Sequence, residues 1–180
     1  TKLTPRIVQV MGGEESAFGD FGSLFAPQEE ISLDDVADAT ALTSEFYADK
    51  TVAVHVVLDG KTPFRTVTNT YLSNGDTIVK TDDTKAVLAV LQGANVIVTT
   101  QTKEIIEAFG EDAPAEISLF NDDKTARVHD MSLLAYLLDP TRTNYGYLYL
   151  TERFSVPSIA SGSVDVECVS MVKALLAMNE

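Results

Sequence analysis

Three extended runs and one hairpin signal, met in order between residues 51 and 81, constrain this chain more than any other feature. TVAVHVVL (51–58) is a β-branched run of strand length, and FRTVTNTYL (64–72) alternates in polarity as a second strand should. Asn74-Gly75-Asp76 then supplies the residues a tight hairpin favours, and TIVKT (77–81) completes a third strand. The three runs predict an antiparallel meander. After residue 81 the periodicity changes. TDDTKAVLAVLQG predicts a helix with an acidic start and Gly93 at its end, ANVIVTT a buried strand, and TKEIIEAFG a helix closed by Gly110. EISLF (116–120) and ARVHD (126–130) predict short extended pieces. Helices are expected at roughly 82–93, 101–109, 130–139, 146–154 and 163–179. A meander, then alternating helix and strand, then helices, predicts an α/β domain whose mixed sheet has about five strands.

The flanks are less regular. Residues 1–30 predict an irregular lead-in or linker, in which RIVQV is a candidate short strand; residues 31–180 predict the folded domain. Gly12 and Gly13 open no phosphate-binding loop, because no Lys-Ser/Thr follows them. Ser32 ahead of Asp34 and Asp35 predicts a helix start or a turn. The chain opens on Thr1, and its last helical pattern runs to Glu180 without a Gly or Pro stop, which reads as a fragment of a longer protein.

Charge narrows the partners. With 27 acidic against 13 basic residues the formal net charge is −14, and such a chain is repelled by phosphate backbones. Tight nucleic-acid binding by this piece alone is not expected. Cys168 is the single cysteine, so no internal disulfide forms; a cytoplasmic setting and a monomeric fragment are expected. No apolar run reaches the length of a membrane span, and no cofactor fingerprint is completed.

The segment 129–154 carries the most specific pattern. HDMSLLAYLLDP, a short basic and tyrosine-bearing turn, and YGYLYLTERF follow one another. With Asp130, Leu134, Ala135, Tyr136, Leu137, Leu138, Asp139 and Pro140, and then Tyr145, Leu148, Leu150, Glu152, Arg153 and Phe154, this block resembles the 3′–5′ exonuclease domain of family A DNA polymerases, the bacterial DNA polymerase I type. In element order the resemblance extends over roughly residues 45–180. It implies a ribonuclease-H-like fold: a mixed sheet, an antiparallel three-strand meander plus parallel strands, flanked by helices.

In working members, the resemblance implies, two divalent ions about 4 Å apart activate the attacking water and the leaving oxygen. Their carboxylates come from an Asp-x-Glu on the first strand, an Asp on the helix after the fourth strand, and a Tyr-x-x-x-Asp on the last helix. Here the first pair falls on His55 and Val57, which share one face of a strand. The second falls on Thr102, with Glu104 two residues away. The third is missing: no tyrosine follows Tyr149, and the residue four before Asp165 is Ser161. An Asp-x-Glu does occur at Asp165-Val166-Glu167, but at a helix start, where acidic residues favour the dipole. Asp130 reads as the N-cap of the helix after it, His55 as a neutral, hydrogen-bonded residue, and His129 as structural. Residues 141–149 could touch a DNA strand, but read more simply as a packed turn.

No catalytic, metal or cofactor residue is therefore expected, His55, Val57 and Thr102 being degenerate positions. The expectation is a vestigial exonuclease-like domain that packs against the polymerase module of the same parent chain, with DNA handled by the parent. Two alternatives stand beside it: an active metal-dependent nuclease that regroups Asp59, Glu104, Asp130 and Asp165, and an unrelated protein-binding domain.

Overall fold

β2 (Thr51–Asp59) is the longest strand, and the sheet is organised around it. A computed structural model of the chain describes residues 31–61, 65–109 and 127–180. Along the chain, β1 (Val36–Ala37), a 3-10 turn (Ala39–Ala41) and α1 (Ser44–Tyr47) precede β2. β3 (Thr66–Ser73), β4 (Ile78–Thr81), α2 (Thr84–Gly93), β5 (Val96–Thr99) and α3 (Thr102–Phe109) come next. β6 (Val128–Asp130), α4 (Met131–Leu138), α5 (Tyr147–Arg153) and α6 (Val164–Met178) complete the described elements. The strand order is β1-β4-β3-β2-β5-β6. β2, β3 and β4 form the antiparallel meander; β1 on β4, β5 on β2 and β6 on β5 are parallel.

The five helices expected from periodicity are present, within one or two residues at their ends. The sheet, however, has six strands among the described residues rather than five. The additional one is β1. Ser32 and the two aspartates make a turn, with the Asp34 N–H donating to Ser32 Oγ at 3.3 Å, and the chain then pairs along β4 for two residues. A two-residue strand is too short to show the alternation by which strands are read. RIVQV, Gly12–Gly13, Gly110 and EISLF lie outside the described residues.

Local chemistry explains the turns. Gly75 sits at φ +94°, a conformation that side chains resist, and Asn74 Oδ1 accepts from the N–H groups of Asp76 and Thr77 at 3.0 and 2.9 Å. Gly93 does end α2, but not by turning left-handed: the cap is Ala94 at φ −67°. Its missing side chain makes room for the Tyr47 ring, which a Cβ at Gly93 would strike. Asp83 caps the other end of α2 through the N–H groups of Lys85 and Ala86.

Two cores flank the sheet. Val52, Val54 and Val56 of β2 pack with Leu91 of α2 and Ile105 and Phe109 of α3. Ala53 and Val57 belong to the other face, with Met131 and Ala135 of α4, Leu150 of α5, and Cys168, Val172 and Leu175 of α6. Burial pushes the Cys168 thiol up to about 11, so it behaves as a small apolar side chain.

Arg127 is a buried cation at the end of α2. Its Nε donates to the Ala94 carbonyl and Nη2 to the Leu91 carbonyl, both at 2.8 Å. These are carbonyls that a helix terminus leaves unpaired. Arg127→Ala strips donors from two buried acceptors, and a loss on the order of 2–4 kcal/mol is expected in chemical denaturation. A loss under about 0.5 kcal/mol, the range of ordinary surface changes, would rule out this role.

Candidate functional site

The site begins where β5 stops following β2. Their pairing runs only through Thr51–Ala53, and β5 ends at Thr99. Past that point Val56 has no strand on this side. Gln101 takes its place: its Oε1 accepts from the Val56 N–H at 2.8 Å, and its Nε2 donates to the Val56 carbonyl at 3.0 Å. One side-chain amide thus continues the ladder as a strand residue would. On the other side of β2 the register with β3 slips between Val57 and Leu58, leaving Thr68 as the extra residue of a bulge.

His55 lies in this stretch, 8% exposed. Its Nδ1 is hydrogen-bonded to the Tyr147 hydroxyl at 3.1 Å, and that hydroxyl is also bonded to Thr100 Oγ1 at 2.8 Å. The Tyr147 and His55 rings meet edge to face, with centroids 6.1 Å apart. Burial lowers the imidazole to about 4 and raises the Tyr147 phenol to about 12, so both are neutral near pH 7. Val57, two residues on, packs half-buried against the α4–α6 core. The sequence singled out His55 but not its partner. Tyr147 lay at the start of the helix expected at 146–154, and nothing in its spacing pointed across 92 residues to β2.

Thr102 opens α3. Its N–H donates to Asp130 Oδ2 at 3.3 Å, while its own Oγ1 is buried without a hydrogen-bond partner. Asp130 is the N-cap expected of it, Oδ1 accepting from the N–H groups of Ser132 and Leu133, and it also reaches α3 through Oδ2. One carboxylate therefore ties two helix starts together. Beside them a groove of about 600 Å³ is lined by Thr100, Thr102, Lys103, Glu104, Asp130 and Ser132, among others. Glu104 faces Arg65 at 4.0 Å. His129 is fixed by Asn179, Nδ1 to Oδ1 at 2.6 Å.

Asp165 and Asp59, the other acids singled out in the sequence, are engaged elsewhere. Asp165 lies in the first turn of α6, as its sequence context suggested, and is also bonded across to the sheet. It accepts from Lys80 Nζ at 2.8 Å and from the Tyr71 hydroxyl. The Lys80 ammonium, and then Tyr71, hold its carboxyl below the usual range. His55, Tyr71 and Lys80 are successive cross-strand partners, so Asp165 sits over the strands beside His55 rather than over His55 itself. Asp59 Oδ1 accepts from the N–H of Gly60 at the exposed end of β2. Among the described residues no three His, Cys, Asp or Glu side chains come together as a metal site.

Residues 141–146 form a packed turn that leads into α5, whose first residues are 147–149. Tyr145 donates to the Asp139 carbonyl at 2.6 Å, Tyr136, Tyr145 and Tyr149 meet edge to face, and Arg142 lies 5.0 Å from the Tyr149 ring centre.

Two divalent ions, which an exonuclease of this fold class implies, do not fit these residues. Hard cations take several oxygens at once. The strand offers a buried neutral imidazole bonded to tyrosine and an apolar valine, and the helix a threonine.

No protein-family profile matches the chain, and no curated protein does. Solved structures do. The EXO domain of Nibbler from Aedes aegypti aligns with a TM-score of 0.59 at 11% identity, over 85% of this chain and 89% of that one. The POL domain of Pol1 from M. smegmatis, in complex with DNA primer-template and dNTP, gives 0.55 at 17% identity, over 83% of this chain. RNase D of Escherichia coli, an exoribonuclease involved in structured RNA processing, gives 0.50 at 12% identity, over 78% of this chain. The chain has the ribonuclease-H-like exonuclease fold. It spans 26% of the Pol1 chain and 42% of the RNase D chain.

The buried imidazole makes a pH prediction. Its folded value is about 4, against about 6.5 in an unfolded chain, so between these the unfolded state binds more protons. His55 therefore contributes stability that is present above pH 6.5 and lost as pH falls toward 4, by an amount on the order of 2–3 kcal/mol. His55→Gln removes this dependence. Isothermal denaturation at pH 7 and pH 4.5 should show the wild type losing more stability than the variant; equal losses would mean that His55 titrates normally.

Proposed function

We propose that this chain is a non-catalytic, vestigial 3′–5′ exonuclease-like domain of a DNA polymerase I-type protein, acting as a structural module beside the polymerase module in DNA replication and repair. DNA is then handled by the parent chain, in the cytoplasm. The observation that carries the reading is the sealed strand position: where the fold needs two carboxylates, His55 is buried and bonded to Tyr147, and Val57 packs into the core. The sequence pattern at 129–154 favours a polymerase parent over a free-standing exonuclease. The net charge of −14 fits a module that does not itself grip DNA.

The test is direct. The chain, given a single-stranded DNA labelled at its 3′ end and millimolar Mg²⁺ or Mn²⁺, should leave the label in place. Metal-dependent release that disappears in Glu104→Gln would overturn the proposal. Restoring the strand carboxylates with His55→Asp and Val57→Glu should not create activity, since the helix ligands are still missing. It should destabilise the fold by roughly 2–4 kcal/mol at pH 7, because the new carboxylates are desolvated without a cation. Burial raises their folded values above the unfolded ones, so this deficit is small near pH 4 and grows as pH rises. Denaturation at both pH values checks it, and unchanged stability at pH 7 would show a cleft still open to water.

A further inference from the structure

Asn74-Gly75 closes the β3–β4 hairpin, and of the asparagines in the chain only Asn74 is followed by glycine. That dipeptide carries chemistry of its own. The Gly75 nitrogen, with no side chain beside it to hinder approach, can attack the Asn74 side-chain carbon. The nitrogen loses its proton to water and bonds to Cγ. The Cγ–Nδ2 bond breaks, and Nδ2 leaves as ammonia after taking up a proton. Water then opens the cyclic imide at either of its carbonyls. The product is aspartate, or an isoaspartate whose side-chain carbon has entered the backbone. Water is the only co-reactant, and nothing is oxidised or reduced.

In the folded chain every group that this reaction moves is held. Asn74 Oδ1 accepts from the N–H groups of Asp76 and Thr77 at 3.0 and 2.9 Å, and Nδ2 donates to the Phe46 carbonyl at 3.0 Å. The Gly75 N–H donates to Ser73 Oγ at 3.2 Å. Burial gives no protection: Gly75 is exposed, and nothing lies within 4 Å of the place a side chain on it would take. Water reaches the turn, so any protection is conformational. Two donors on Oδ1 would also steady the charge that forms there during attack. A carboxamide pinned at both its oxygen and its nitrogen, however, cannot turn its face to the Gly75 nitrogen without breaking those bonds. We propose that Asn74-Gly75 is a deamidation site that the folded hairpin holds shut and unfolding opens, so that an opening of the hairpin is recorded as a covalent change. The change feeds back on the fold. The Asn74–Phe46 bond ties the hairpin to α1, where Phe46 is buried. Aspartate sets an anionic oxygen against the Phe46 carbonyl in place of a donor, and isoaspartate also lengthens the turn by one backbone carbon. Either product loosens the tie, and unfolding becomes progressively irreversible. The inference does not rest on the function proposed above.

The experiment incubates the chain at pH 7 in plain buffer and, in parallel, in enough guanidinium chloride to unfold it. Mass spectrometry of peptides spanning Asn74-Gly75 follows the loss of the amide. The unfolded chain should convert Asn74 about tenfold or more faster than the native chain. Below the unfolding midpoint, the rate should rise with the fraction of chains unfolded. Asn74→Asp makes the first product directly and should lower the melting temperature by roughly 2–4 °C. Similar rates in native and unfolded chains would overturn the proposal, because the turn would then guard nothing. Faster conversion in the native chain would overturn it too, since the donors on Oδ1 would then be assisting the attack. So would an Asn74 that stays intact in the unfolded chain. A variant as stable as the wild type would reject the feedback on the fold. Should Asn74→Asp fail to fold, the rate comparison on the wild type decides alone.

Discussion

The Gln101 amide on the backbone of Val56 is the interaction on which the rest of the site depends. A sheet whose neighbouring strands part leaves backbone groups that must be paired. Here β5 ends at Thr99, and without Gln101 the Val56 N–H and carbonyl would face the gap unpaired. Because Gln101 closes that edge, the chain can turn directly into α3 at Thr102 while β2 runs on to Asp59. That divergence brings Thr100 to the Tyr147 hydroxyl and, through it, to His55. The plug over β2 and the start of α3 are two consequences of one side-chain amide.

The chain is strongly acidic, yet its carboxylates avoid the one place where this fold could concentrate them. Asp130 and Asp165 are engaged by hydrogen-bond donors elsewhere. Asp130 accepts from three backbone N–H groups at the starts of α3 and α4. Asp165 is held by Lys80 and Tyr71, while also lying at the favourable end of α6. Among the described residues these donors do the work that cations would do in a metal site. The centre around His55 is accordingly buried and neutral, although the chain carries a net charge of −14.

Much of the fold was legible because it rests on local chemistry. β-branched runs, Asn74-Gly75, the acidic start of α2 and the Asp130 cap each act within a few residues, and each was recognisable in the sequence. β1 was not, since two residues show no period. Gly93 was assigned to the right place for another reason: its need is the Tyr47 ring, a contact 46 residues away in sequence that no turn rule encodes. The site divides in the same way. That His55 would be neutral and bonded followed from an isolated histidine on an apolar strand, whereas Tyr147, Gln101 and the Lys80–Asp165 tie join distant segments. Side-chain pairs across tens of residues depend on register, which a single sequence does not disclose.

The two halves of the site are not closed to the same degree, and that difference bears on the proposed function. The strand half is filled: Tyr147 occupies the space above His55, and Val57 joins the core. The helix half still opens on the groove beside Thr102 and Asp130, where Thr102 Oγ1 stays unpaired. An open groove alone does not activate water. Activation needs an anion cluster to hold cations, or a base placed beside the nucleophile. Here the acids that line the groove are Asp130, committed to three N–H groups, Glu104, placed 4.0 Å from Arg65, and Glu107, paired with Lys103 at 3.6 Å. Opening the strand half by removing the Tyr147 ring would therefore join two spaces without adding a carboxylate to either. In the proposed reading the absence of a carboxylate cluster among the described residues, rather than the plug, sets the limit on chemistry, and the plug keeps His55 buried and neutral.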